Sequence, residues 1–272
     1  MSFDFCLLLK PTVFAFVLFE IAFATTLKNQ ITLDWNNHQN GVYTLDQARK
    51  DFGSLTGWDE RKVVITDLGK NGTRGCQIKL SPNSLLSGGL VADTKIEPGQ
   101  EYQVDFDIKF DQKFSWSRGG KVGFGFKIGE GNKTGCRPAW DGNGGSLRLM
   151  WLASNNNAAF HPYVYHFKMP NKCGDFFNKT YPAIGNLKKG SWYHISMYAK
   201  SNTGNNTDGW VRIIIDNDAP LINEAIQWTA NDKYRQINVL TFNTFRGGST
   251  KHWESPTTDY VYYDNLKVKK IS

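Results

Sequence analysis

The chain has 272 residues, of which 40% are hydrophobic and 14% aromatic, so intrinsic disorder is excluded and one large domain is expected. Glycine is abundant (26) and long 3.6-residue periodicities are scarce, which favours many short strands over helices. A net charge of +7 points to an anionic partner such as an acidic polysaccharide, while no helix-turn-helix, zinc-finger or RNA-recognition signature supports nucleic acid.

Residues 11–24 form the apolar run PTVFAFVLFEIAFA, closed by the small-x-small pattern Ala22-Phe23-Ala24. The expectation is a signal peptide over residues 1–24 and a secreted, extracellular domain over 25–272. The run is shorter than the roughly 20 residues a membrane span needs, and no later stretch could cross a bilayer, so no membrane association is expected. Asp4, Lys10 and Glu20 leave with the signal, making the remainder one charge more basic. Sequons at Asn71, Asn132, Asn178 and Asn205 agree with secretion and glycosylation.

Beyond Cys6, the cysteines are Cys76, Cys136 and Cys173, an odd number that permits one disulfide and one thiol. Cys136 and Cys173 bracket two candidate strands of the central stretch, so they are expected to pair and Cys76 to be buried. There is no CxxC spacing, and no metal is expected.

A short helix is expected over 44–52, capped by Thr44 with Gln47 three residues on. Strands are expected at 61–66, 75–80 and 90–96, with turns at Asn71-Gly72 and Pro98-Gly99. Residues 101–110 alternate most clearly: Tyr102, Val104, Phe106, Ile108 and Phe110 face inward. Glu101, Gln103, Asp105, Asp107 and Lys109 then face solvent.

The central stretch carries the chemistry. It reads GGKVGFGFKIG, GGSLRLMWLA and HPYVYHF, three alternating strands between residues 119 and 167. Val122, Phe124, Phe126 and Ile128 oppose Lys121, Gly123, Gly125 and Lys127; Leu147, Leu149 and Trp151 oppose Ser146, Arg148 and Met150. Tyr163 and Tyr165 share a face. Neighbouring strands would therefore gather Lys121, Ser146, Arg148, Tyr163 and Tyr165 in one cationic cleft. His161 has the parity of Tyr163 and is a substrate-binding candidate. Trp140 in the PAWDGNGG loop is another, positioned to stack on a sugar ring or to anchor its loop.

Further strands are expected at 192–199, 210–216, 237–245 and 260–268. Neither repeat nor linker divides the chain. The expectation is a single-domain, monomeric, all-β antiparallel sandwich or jelly roll with a concave substrate groove.

Several chemistries lack their residues. No E-x-D-x-x-E strand offers the carboxyl pair of a sandwich glucanase, no G-x-S-x-G elbow presents a nucleophile, and no phosphate loop is present. Elimination from a uronic acid fits better. Its carboxylate must be neutralised, the C5 proton removed and the C4 oxygen protonated. Arg suits the carboxylate, Lys the developing charge, and Tyr serves as base or acid. No cofactor is needed.

GGKVGFG, SLRLMW and YVYH, with the later FNTFRGG and YVYYDNLKV, resemble the polysaccharide lyase family that contains gastropod alginate lyases and an algal-virus glucuronate-polymer lyase. The likeness covers residues 33–268 and is greatest to the molluscan poly(mannuronate) lyases. The resemblance implies a β-jelly roll, alginate as the acidic polysaccharide partner, and Lys121, Ser146, Arg148, Tyr163 and Tyr165 as catalytic residues. It leaves open which Tyr is base and which is acid. The alternatives are a glucuronan lyase of the same fold and a secreted, non-catalytic lectin.

Overall fold

The structure is a computed structural model that describes residues 27–130 and 134–272. The expected signal segment and the Asn132 sequon lie outside the described residues.

Short elements lead in: β1 (Gln30–Leu33), β2 (Gly41–Val42), α1 (Leu45–Phe52), β3 (Leu55–Thr56), β4 (Val63–Thr66) and β5 (Gly75–Leu80). The long strands follow: β6 (Leu90–Gly99), β7 (Glu101–Phe110), β8 (Gly119–Gly129), β9 (Gly144–Ser154) and β10 (Asn157–Tyr165). The chain ends with β11 (Trp192–Lys200), β12 (Gly209–Ile215), β13 (Ile222–Ile226), β14 (Ile237–Arg246) and β15 (Asp259–Lys270).

Among the described residues these strands make two antiparallel sheets. The outer sheet runs β13-β12-β11-β7-β15-β5-β4-β2, with β1 also paired to β15; the inner sheet runs β10-β9-β8-β14-β6-β3. This is the expected all-β sandwich. Its core lies between the sheets. The five inward residues of β7 are all fully buried, and they meet Val122, Phe124, Phe126 and Ile128 from β8. Phe124 stacks on Phe242 at 4.1 Å between ring centroids and meets Phe106 edge-on at 5.3 Å. Burying each such ring contributes about 2–3 kcal/mol, and the stacked geometry adds to that.

Helix α1 has the expected capping box, Thr44 and Gln47 satisfying each other's backbone N–H groups. The strand expected from 61 begins only at Val63. Asp59 caps a short 3-10 turn over Glu60–Lys62 by accepting from the Arg61 N–H. Strands β1, β2, β3 and β13 were not anticipated. They are two to five residues long, too short for alternation to register.

Asp107 departs from its expected solvated position. It is 2% exposed, and its carboxylate accepts from Lys70 Nζ (3.0 Å), His194 Nδ1 (2.9 Å) and Asn265 Nδ2 (2.7 Å). Asn265 sits at an irregularity of β15, in the left-handed region, and closes over the carboxylate. The polar face of β7 is thus partly roofed, and Asp107 serves a structural network that local alternation does not reveal.

Candidate active site

Arg148 pairs in register with Tyr163, Ser146 with Tyr165, and Met150 with both His161 and Lys121. On the other flank of β8, Lys121 pairs with Phe245 of β14. Alternation then puts Lys121, Ser146, Arg148, Tyr163 and Tyr165 on the face away from the core, as the sequence pattern required. Met150, Tyr163, Tyr165, Ala139 and Met169 form a small cluster there, separate from the main core.

β10 is an edge strand containing Pro162. The N–H groups of Phe160 and Val164 point away from β9, to Tyr181 and Asp175. Pro162 has the same parity, so its missing N–H removes no bond to β9. The strand stays regular. It also starts at Asn157 and ends at Tyr165, earlier than the expected 161–167.

β8 is less regular than its sequence suggested. Its pairing to β9 shifts between Val122 and Phe126, and Gly123 has φ 77°. The Gly123 N–H donates to Tyr263 Oη (2.9 Å), and a Cβ there would lie 2.4 Å from the Phe106 ring. Gly123 therefore packs on the core rather than leaving room in the cleft. A bulge bends the strand beneath the site.

The cations sit close to the phenols. Lys121 Nζ lies 4.3 Å from the Tyr163 ring centroid, and Arg148 Cζ lies 5.0 Å and 5.7 Å from the rings of Tyr163 and Tyr165. Lys121 is 9% and Arg148 6% exposed, and neither has a carboxylate within salt-bridge distance among the described residues. Arg148 also has Nε and Nη2 buried without a hydrogen-bond partner. Burial, and then the neighbouring Arg148 charge, lowers Lys121 to about 7. Burial lowers Arg148 too, opposed by the two tyrosines and Asp93. Its guanidinium nonetheless stays charged. A desolvated guanidinium with no carboxylate partner among the described residues makes an anion site.

Burial raises Tyr163 well above an ordinary phenol, and its hydrogen bond to Tyr165 adds to this, outweighing Arg148. The two phenol oxygens are 3.0 Å apart, and Tyr165 Oη accepts the backbone N–H of Cys136 at 3.0 Å. Tyr165 Oη can accept from both the Cys136 N–H and the Tyr163 O–H, and a bond donated by Tyr163 accords with the upward push on its proton.

The expected Cys136–Cys173 disulfide is present and Cys76 is free and buried. The bridge ties together both loops that hold the phenols. On one side is the Cys136 N–H. On the other, Gly174 at φ 85° lies against the Tyr163 ring, where a Cβ would approach to 2.6 Å. Asp175 is pinned by His166 Nε2 at 3.0 Å. His166 braces Asp175 and His194 braces Asp107, so both histidines serve structural networks.

His161 lies on the Tyr163 face, its ring edge-on to Phe176 at 5.8 Å. Trp140 is 53% exposed with Nε1 donating to the Met169 carbonyl at 2.9 Å, so the loop is anchored while the indole remains accessible. Ser146 is 1% exposed and opposite Lys127 as well as Tyr165. Asn71, Asn178 and Asn205 are exposed.

Sequence reasoning missed Phe245 and Gly247, which wall Lys121; a Cβ at Gly247 would meet Lys121 Nζ at 3.0 Å. Both lie in FNTFRGG, but only the β8–β14 register shows that they reach the lysine.

The model of the family Polysaccharide lyase 14 matches residues 68–266. The chain belongs to this family. No curated protein sequence matches the chain. Among solved structures it is similar to alginate lyase Aly36B, at 46% identity over 90% of this chain and 98% of that one, with a TM-score of 0.86. A variant of Aly36B was solved in complex with an alginate tetrasaccharide. The fold is also shared with the PL-14 alginate lyase of Aplysia kurodai (18% identity, 90% and 99% coverage, TM-score 0.67). Alginate lyase vAL-1 from Chlorella virus has the same fold (23%, 85% and 100%, 0.66). The chain is thus a polysaccharide lyase 14 member with an alginate-lyase-like fold, and its cluster of cations and phenols lies on the inner sheet.

Proposed function

We propose that this chain is a secreted alginate lyase that cleaves poly(β-D-mannuronate) by β-elimination, releasing unsaturated oligosaccharides. The observation that carries the reading is the buried pair Lys121 and Arg148, held against two phenols with no carboxylate partner among the described residues. The alginate-bound Aly36B relative supports the substrate class. The Ala22-Phe23-Ala24 pattern, exposed sequons and disulfide support secretion.

Arg148 takes the substrate carboxylate and stabilises the enediolate-like charge that forms when the C5 proton leaves. Burial then divides the proton transfers. A lysine lowered to about 7 is substantially neutral near neutral pH and can accept a proton. Tyr163, pushed upward, resists becoming a phenolate and suits the acid. Lys121 thus removes the C5 proton, the C5 electrons form the C4–C5 double bond, and the C4–O bond breaks as Tyr163 protonates the leaving oxygen. Proton return from Lys121 to Tyr163 resets the site. This assigns the base to Lys121 in place of a tyrosine. In mannuronate the C5 proton and C4 oxygen lie on the same side of the ring, which suits a base resting over the ring of its partner acid.

Incubation with poly(mannuronate), poly(guluronate) and glucuronan, followed by ultraviolet absorbance of the unsaturated uronate, tests the reading. Absorbance should grow fastest on poly(mannuronate). Binding without any absorbance increase would make the protein a lectin.

A further inference from the structure

The cleft face continues past the catalytic side chains along β9 and β10. Beyond Met150 and His161 lie Leu152 and Ala159, which are register partners, and Gly119 faces Leu152 from β8. Leu152, Ala159 and His161 line a cavity of about 450 Å³ together with Arg118 and Trp253. From Arg148 to Leu152 the strand advances about 13 Å. An oligosaccharide spans that distance; a single ring does not.

The far end of this cavity is built rather than incidental. The single Ser117 hydroxyl proton is shared between the carbonyls of Trp253 (3.0 Å) and Glu254 (2.8 Å), fixing the turn that carries the indole. Gly248, at φ 122°, lies against the indole, where a Cβ would approach to 2.3 Å. Arg118 is exposed beside it, with its guanidinium carbon 5.9 Å from the Trp253 ring centroid. Arg118 has no carboxylate partner among the described residues. The cavity on the outer sheet beside Trp210 differs, since there Lys200 and Arg212 are balanced by Glu101 and Asp208. The inner-sheet cavity instead sets an aromatic surface beside a cation that has no carboxylate partner among the described residues.

We propose that this cavity is a distal uronate subsite, in which Trp253 and Leu152 take the apolar face of a pyranose ring and Arg118 takes its carboxylate. It rests on the reading of the chain as a uronate-polymer lyase, and it makes turnover depend on chain length. Productive binding of a short substrate must occupy the catalytic residues and leaves this cavity empty. A longer chain gains the additional contact.

Two measurements decide it. Initial rates on mannuronate tri- and hexasaccharides should show that Arg118→Ala and Trp253→Ala each lower kcat/KM on the hexasaccharide about tenfold, the scale of one charge-assisted contact. Turnover of the trisaccharide should be unchanged, and Trp253→Phe should retain most of the hexasaccharide advantage. Equal losses on both substrates, or no loss on either, would overturn the subsite. Calorimetric titration of the hexasaccharide into Tyr163→Phe, with and without Arg118→Ala, separates this from the elimination chemistry. If the native chain yields no unsaturated product but Arg118→Ala still weakens hexasaccharide binding, the lyase reading fails and the uronate site stands. If that titration is indifferent to Arg118, the subsite fails whatever the chemistry.

Discussion

The hydrogen bond from the Cys136 N–H to Tyr165 Oη distinguishes two adjacent phenols. Tyr165 Oη is held by that backbone donor and Tyr163 Oη is not, so under the proposed mechanism the two substitutions to Phe should differ. Tyr163→Phe removes the proton donor and should lower kcat by 10²–10⁴, about the usual contribution of general acid catalysis, with oligosaccharide binding retained. Tyr165→Phe removes only the supporting bond and should cost less than Tyr163→Phe. Steady-state rates paired with calorimetric affinities check this; the reverse order would assign the acid to Tyr165. Protonation gives an independent test. Lys121 is lowered to about 7, so its neutral fraction falls about tenfold per unit on the acid side of that value and saturates above it. The profile of kcat/KM against pH, which reports the free enzyme, should therefore rise through about 7 and then level off. Because Tyr163 is raised, no loss of its proton should bring the rate down again near neutrality. If Lys121 acted only as a cation, the rate would fall through the same region.

At the scale of elements, the shared parity of the candidate site residues was legible because β8, β9 and β10 alternate across a buried and a polar face, and two-residue periodicity fixes which side chains share a face. What alternation could not show is where that period breaks. The bulge in β8 turns Gly123 toward the core, and nothing in GGKVGFG distinguishes it from Gly125. The walls around Lys121 were equally hidden, since Phe245 is 124 positions away and only sheet register brings it there. Gly123→Ala tests the bulge. Its Cβ would both strain a φ of 77° and strike the Phe106 ring, so we expect a loss of about 1–3 kcal/mol in chemical denaturation. The same substitution should reduce turnover, since Lys121 is two residues away on the same strand. An unchanged denaturation midpoint would show that the bulge relaxes without cost.

For the whole molecule, the sandwich followed from composition and regular strand spacing, whereas the roofed Asp107 did not. Its partners come from Lys70, His194 and Asn265, which are remote in sequence and converge only when β7, β11 and β15 are assembled. Charge acts at this scale as well. The chain carries +7 overall, and Arg118, Lys121 and Arg148 mark the surface of the inner sheet proposed to face the polymer. A polyanion approaching that surface feels many cations at long range, while the contact of a carboxylate with buried Arg148 is made at short range and is little screened by salt. Raising ionic strength from about 0.01 M to about 0.5 M contracts the Debye length from about 30 Å to less than 8 Å. On polymeric substrate kcat/KM should then fall severalfold, because encounter slows, whereas kcat at saturation should hold, because bound geometry is unchanged. A trisaccharide, which spans fewer cations, should show a shallower dependence. Salt that depressed kcat and kcat/KM equally would place the charge effect in the chemical step and not in the encounter of the polymer with the sheet.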